Sequence, residues 1–273
     1  SLQEVAGPVE NLGPAVTRLL EELNPFAVFG AAPAHGGELA KNAVVLTNYS
    51  LFLIVAVVLT ALLFLLASRK MSLVPKGLGN IGEWGVEFVR NNIVLDVMGS
   101  QGLTYLPFIV TVFFAVLFNN VLGLIPGLKP GTGTLGTTFA WGIMVFVVYN
   151  WIGFRKHGFL GYLKSFLPAG TPWWLVPLIY PLEVISHFLR PFTLGVRLYA
   201  NMYAGHIVLG IFAVFVVLAV EALGPLTAVV AGFSLAMQII MYAFEVFVAF
   251  IQAYVFSILT AVYMNGALHA GEH

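Results

Sequence analysis

The sequence predicts an all-α polytopic membrane protein with about five membrane crossings, a surface amphipathic helix and a long, tilted C-terminal helical hairpin. Three observations predict it. Apolar residues make up 60% of the 273 and charged residues only 9%, against roughly 25% charged in an ordinary soluble domain. The apolar residues are gathered into uncharged runs, and about 20 such residues suffice to cross a bilayer. The last two runs are nearly twice that length and are divided by Gly224-Pro225.

Residues 1–43, with Pro8, Pro14, Pro25, Pro33 and Gly36-Gly37, read as an irregular extramembrane arm, and residues 44–273 as one transmembrane helical domain. The chain begins Ser1-Leu-Gln-Glu without a basic region before an apolar core, so no intact signal peptide is expected. The first crossing covers about 44–67 and stops at Ser68-Arg69-Lys70. At about 80–95, Ile81, Trp84, Val86, Phe88, Val89 and Ile93 alternate with Glu83, Glu87 and Arg90, the pattern of an amphipathic surface helix. A second crossing, about 103–125, closes on Pro126-Gly127, and a third, about 135–154, ends at Arg155-Lys156-His157. Two more, about 184–222 and 226–264, follow Pro181. Their excess length implies tilt or burial against protein. Gly suits the end of one helix and Pro the first turn of the next, so Gly224-Pro225 predicts a hairpin. Pro191 removes a backbone donor inside the fourth crossing and predicts a kink or break at 187–191.

Charge orients the spans. Arg69, Lys70, Lys76, Arg90, Arg155, Lys156 and Lys164 fall on one side, and Arg18, Lys41 and Lys129 on the other. The positive-inside rule places the seven in the cytoplasm, the N-terminus outside, the C-terminus inside and the hairpin tip outside. A net charge of zero offers no footprint for nucleic acid. The absence of cysteine excludes disulfides, thiol catalysis and thiolate metal sites. No cofactor or metal site is expected.

Intramembrane ionisable groups are costly and usually functional. From Leu198 to Val220 there is no Asp, Glu, Lys or Arg, so nothing near Arg197 on the C-terminal side neutralises it. A guanidinium keeps its proton in a protein, and at mid-bilayer it costs roughly 3 kcal/mol or far more. It either snorkels to an interface or serves as a fixed charge on an ion pathway. Between Leu103 and Leu268 the only carboxylates are Glu183, Glu221 and Glu245, and Glu221 lies beside the hairpin tip. Glu183, Ser186, Arg190, Thr193, Arg197, Asn201 and Ala204/Gly205 step by three and four along one helical face. Gln238, Glu245 and Gln252 recur every seven residues on the next helix, with Tyr242 and Ala249 beside them. Such faces either glue two helices together or line a path. Antiparallel partners across the turn have numbers summing to about 449, which sets Arg197 opposite Gln252 and His206 near Glu245. Glu183 then lies about 21 Å to one side of Arg197 and His206 about 14 Å to the other. Two aqueous half-paths separated by a positive barrier fit that layout.

Pro181-Leu-Glu183-Val-Ile-Ser186, with Arg190-Pro-Phe-Thr-Leu-Gly-Val-Arg197-Leu-Tyr-Ala-Asn201-Met-Tyr-Ala-Gly205, closely resembles the signature of subunit a of F-type ATP synthases. Phe250-Ile-Gln252-Ala-Tyr-Val-Phe-Ser-Ile-Leu-Thr-Ala-Val-Tyr263 is similar to that family's last helix, and a weaker likeness spans about 44–264. The resemblance implies a proton-translocating stator subunit without a nucleotide site, in a bacterial plasma membrane or an energy-transducing organelle. Implied partners are a rotating ring of c-subunits, b-type subunits of the peripheral stalk, the other ATP synthase subunits, membrane lipid, and protons, with Na⁺ as the alternative ion. Arg197 matches the stator arginine that meets the ring carboxylate and blocks leakage. Asn201 and Gln252 match its polar neighbours. Glu183 and Ser186 match the cytoplasmic half-channel, His206 and Glu245 an outer pair, and Asn120 an asparagine on an earlier helix. Many bacterial members carry an acid at the His206 position and a histidine at that of Glu245, whereas mitochondrial members resemble this chain. Many also have an Asp where this chain has Gly123, leaving access there to Asn119, Asn120 or water.

Other classes lack their marks. No inverted repeat of a secondary transporter is visible. No GxxxxGK[ST] loop, HExxH or GxSxG occurs, and Gly131-Thr-Gly133 lacks the lysine of a phosphate loop. A self-contained proton channel or a passive assembly protein differs from the stator reading in needing no ring, or no Arg197.

Overall fold

A computed structural model of the chain describes residue 17 and residues 27–29, 46–68, 78–125, 130–167, 171–221 and 225–270. The arm at 1–43 lies outside the described residues except for Thr17 and Ala27–Phe29, as do Arg69, Lys70, Lys76, Lys129, Pro126-Gly127 and Gly224. A two-stranded antiparallel ribbon, β1 (Ala27–Phe29) with β2 (Leu46–Thr47), precedes the helices.

The helices follow in order. α1 is Asn48–Ser68 and α2 is Leu78–Val89, continued by π-helical turns at Arg90–Leu95, one α-turn at Asp96–Met98 and a 3₁₀ stretch at Gly99–Tyr105. α3 is Leu106–Leu124, and a 3₁₀ turn at Gly131–Gly133 leads to α4, Leu135–His157. A short α5, Phe159–Lys164, precedes the two long helices α6, Val176–Glu221, and α7, Pro225–Leu268. Five helical segments are long and apolar enough to cross a membrane: Tyr49–Leu66, Gly82–Leu124, Leu135–His157, Val176–Leu218 and Val229–Leu268. α6 has 46 residues and α7 has 44. At 1.5 Å per residue each is about twice the ~30 Å hydrocarbon thickness, so neither stands upright within it.

Local chemistry sets the ends. Pro107 occupies the first turn of α3, where a missing N–H breaks no helical bond. Arg155, Lys156 and His157 fill the last turn of α4, beside the negative end of its dipole. Gly158 then takes φ +69°, a conformation that favours glycine, and donates its N–H to the Phe154 carbonyl at 3.0 Å. Two orphan helix-end carbonyls find side chains on other helices. Tyr242 donates to Leu124 O at 2.7 Å, and His157 Nε2 lies 3.0 Å from Leu268 O.

α3 is the buried centre, with α1, α2 and α7 packed on it. The apolar side of the amphipathic segment (Val89, Ile93, Val94, Met98) joins this core, while Glu83, Glu87, Arg90 and Asn91 face outward. Its apolar side therefore meets protein. α4 packs against α6 and α7, and α6 against α7.

Several boundaries differ from expectation. The first crossing starts as helix at Asn48, after the β2 pairing, and not at 44. α6 begins at Val176, so Pro181 lies inside it and does not precede it. Of the kink or break expected at 187–191, a break is absent, because α6 is one α-helix through Pro191. Packing overrides the proline: the Pro191 carbonyl rests against Gly142 of α4, and the Tyr149 hydroxyl donates to the freed His187 carbonyl at 3.4 Å.

Candidate functional site

Arg197 is exposed on α6, and among the described residues it forms no ion pair. Its flanks on the same open side are apolar: Leu182, Ile185, Leu189 and Phe192 are each about half exposed or more. α7 presents Phe233, Ile239, Ile240, Phe244 and Phe247 in the same way. An exposed apolar surface of this extent marks an interface with lipid or protein, and Arg197 is a cation set within it.

Toward the N-terminal end of α6 the polar groups are partnered. Glu183 Oε1 lies 3.9 Å from Arg190 Nη2, with both side chains roughly one-third exposed. The Arg190 guanidinium also sits 5.4 Å from the Tyr263 ring centroid, a cation–π contact to α7. Behind it His187 is buried, and its Nε2 lies 2.9 Å from Asn150 Oδ1. Asn150 Nδ2 donates to the Phe146 carbonyl at 2.7 Å, which fixes the amide orientation. Oδ1 can only accept, so His187 Nε2 carries the proton. Ser186 is exposed one turn away.

Toward the hairpin the arrangement is different. A cavity of about 190 Å³ lies between α6, α7 and the end of α3, lined by residues that include Asn201, Gly205, Leu124, Phe244 and Glu245. The Glu245 carboxylate lies over Gly205, where a Cβ would overlap it. Glu245 Oε1 is buried without a hydrogen-bond partner among the described residues. A carboxylate oxygen so placed needs a donor from water or another molecule. His206, adjacent to Gly205, is half-buried. Gln252 is 7% exposed, two turns further along α7, and its Nε2 also lacks a partner among the described residues.

The comparisons with known proteins agree on one family. The family model described as ATP synthase A chain matches residues 50–265. A protein of Acidiphilium cryptum named ATP synthase subunit a is 40% identical over 84% of this chain and 90% of its own length. Relatives of the same name from Mesorhizobium japonicum and Hyphomonas neptunium are 44% and 42% identical, over 82% and 83% of this chain and 87% and 88% of theirs. The chain belongs to the ATP synthase subunit a family. It is a multi-pass membrane protein of the F0 sector, associated with proton transport and ATP synthesis.

In this subunit a chain, Asn119 and Asn120 are both fully buried on α3. Asn119 Oδ1 accepts from the Gly131 N–H at 2.7 Å, and Asn120 Oδ1 from the Thr132 hydroxyl at 3.1 Å. The two clamp the 3₁₀ turn onto α3, and each leaves its Nδ2 without a partner among the described residues. Gly123 has a packing reason to lack a side chain, since a Cβ there would stand 2.5 Å from Pro130 Cβ. An aspartate at this position requires Pro130 to move.

The fold thus gathers Asn201 and Glu245 around one cavity and Glu183 beside Arg190 in another cluster, with Arg197 between them on α6. Asn120 lies elsewhere, on α3 facing the 131–133 turn. Asn150 and Tyr149 carry no signal of their own in the sequence. Gly205 does, as a small residue on the polar face one turn from Asn201, which leaves room for a side chain from the antiparallel helix.

Proposed function

We propose that this chain is the proton-conducting stator subunit of a rotary ATP synthase, with two aqueous half-channels separated by Arg197 and facing a ring of c-subunits. The reading rests on one observation above others: Arg197 is an exposed cation with no ion pair among the described residues, on a broad apolar surface, with Glu183 toward one end of α6 and Glu245 of α7, lying over Gly205, toward the other. Such a surface suits an apolar helical partner that carries a carboxylate at the depth of Arg197. The b-type stalk subunits, and nucleotide chemistry housed in other subunits, follow from the family resemblance.

The mechanism is electrostatic. A proton taken up past His206 and Glu245 neutralises a ring carboxylate, which then faces lipid without the cost of a charge. After rotation the carboxylate meets Arg197, whose positive charge favours its ionised form, and the proton leaves past Ser186 and Glu183. Each 100 mV contributes about 2.3 kcal/mol per charge moved. The orientation that makes the Glu183 side cytoplasmic comes from the positive-inside count. Cysteine labels at Arg155 and Lys164 are expected to react from the cytoplasmic face only, and labelling from outside reverses the direction of the path.

The decisive experiment replaces Arg197. In the assembled, reconstituted complex Arg197→Ala abolishes ATP-driven proton pumping. Arg197→Lys also fails, because an ammonium is shorter and lacks the planar five-donor fork. Wild-type pumping by a fully assembled Arg197→Ala complex rejects the half-channel reading.

A further inference from the structure

Pro191 lies six residues before Arg197 and has no N–H to offer the carbonyl of His187, its acceptor in a regular helix. A bare carbonyl within a membrane span is expensive, and α6 nevertheless stays helical there. The buried Tyr149 hydroxyl on α4 lies 3.4 Å from that carbonyl and 3.5 Å from His187 Nε2. Because Nε2 already carries a proton directed at Asn150 Oδ1, it cannot accept one from Tyr149. The tyrosine proton therefore goes to the carbonyl.

The same helix pair is registered twice more. A Cβ on Gly142 would overlap the Pro191 carbonyl, and a Cβ on Gly195 would stand 3.1 Å from Thr138 O and 3.2 Å from Phe139 Cα. Backbone meets backbone at both places, so α6 has little freedom to slide or rotate on α4 between residues 187 and 195. Arg197 is two residues beyond.

We propose that Tyr149 is a positioning residue: its hydroxyl replaces the hydrogen bond that Pro191 removes, and with Gly142 it holds α6 at the depth and rotation that present Arg197. This rests on the stator reading of Arg197, and Tyr149 itself handles no proton of the transport cycle.

The test is a double-mutant cycle in the reconstituted ATP synthase. Tyr149→Phe keeps the ring and removes one hydrogen bond, so ATP-driven pumping falls roughly two- to tenfold. Pro191→Ala restores an N–H for the His187 carbonyl, so in that background Tyr149→Phe has little further effect. An isotope-labelled His187 carbonyl gives an infrared band that rises in frequency on Tyr149→Phe and returns when Pro191→Ala is added. If Tyr149→Phe blocks assembly, Pro191→Ala restores it. Gly142→Ala, which forces α6 away from α4, lowers pumping independently. Equal losses from Tyr149→Phe in both backgrounds, an unmoved carbonyl band, or failure of Pro191→Ala to restore assembly overturns the proposal. Normal pumping by Arg197→Ala would instead remove the reading beneath it while leaving the carbonyl result intact.

Discussion

The two ends of the α6–α7 pair solve the same problem in opposite ways. Around His187 side chains of α4, α6 and α7 are linked to one another: Glu183 meets Arg190, Arg190 meets Tyr263, His187 meets Asn150, and Tyr149 covers a carbonyl. Near residue 245 a carboxylate oxygen is buried without a partner among the described residues, beside a cavity of about 190 Å³. A satisfied network in low dielectric is rigid, whereas an unsatisfied group calls in water. The buried groups behind Glu183 hold shape while Glu183 and Ser186 themselves stay accessible at the surface, and the Glu245 cavity admits something small and polar. The comparison also shows where glycine matters: Gly142 brings two backbones together, and Gly205 makes room for a side chain.

Within this comparison, the largest expected effect breaks the open end. Gly205→Leu fills the space taken by the Glu245 carboxylate, and proton pumping falls roughly tenfold to a hundredfold. Gly232→Ala is the control, since a Cβ there meets nothing within 4 Å, and its pumping stays at the wild-type level. Equal pumping by the two variants would show that the Glu245 cavity has no part in transport.

Next in size is Asn119→Ala, which leaves the buried Gly131 N–H without its acceptor. A stability loss of about 1–3 kcal/mol follows, read as a lower midpoint in thermal unfolding of the detergent-solubilised complex. An unchanged midpoint means that the 131–133 turn is held by packing alone.

The smallest effect on stability belongs to the Glu183 end. Glu183→Gln removes a 3.9 Å ion pair between partly exposed groups, and such pairs contribute about 1 kcal/mol or less. Stability barely moves, and raising salt shrinks the difference further. A large, salt-independent loss would make this end depend on Glu183 far more than its geometry indicates.

Five crossings and the long final pair were legible in the chain because they answer to the bilayer. Every backbone group must be satisfied within a span, and charge is excluded from it, so uncharged runs mark the crossings. The isolation of Arg197 was legible for the same reason. Helix starts were less so: Pro181 reads as a boundary but lies inside α6.

Which side chains meet was a matter for tertiary structure. The hairpin arithmetic sets His206 near Glu245, while in the fold Gly205 receives the carboxylate, one residue away. The helical period places a residue on a face to within a turn, but a cavity wall is decided by side-chain volume and rotation. The Tyr149 bond to the His187 carbonyl joins positions 38 apart, with no periodic pattern linking them. The sequence by itself determined that α6 crosses the membrane carrying a charge it cannot neutralise locally. Only the packing of α4 and α7 decided how that helix stays whole at Pro191 and which end of it is left open, because those contacts depend on close approach between helices distant in the chain.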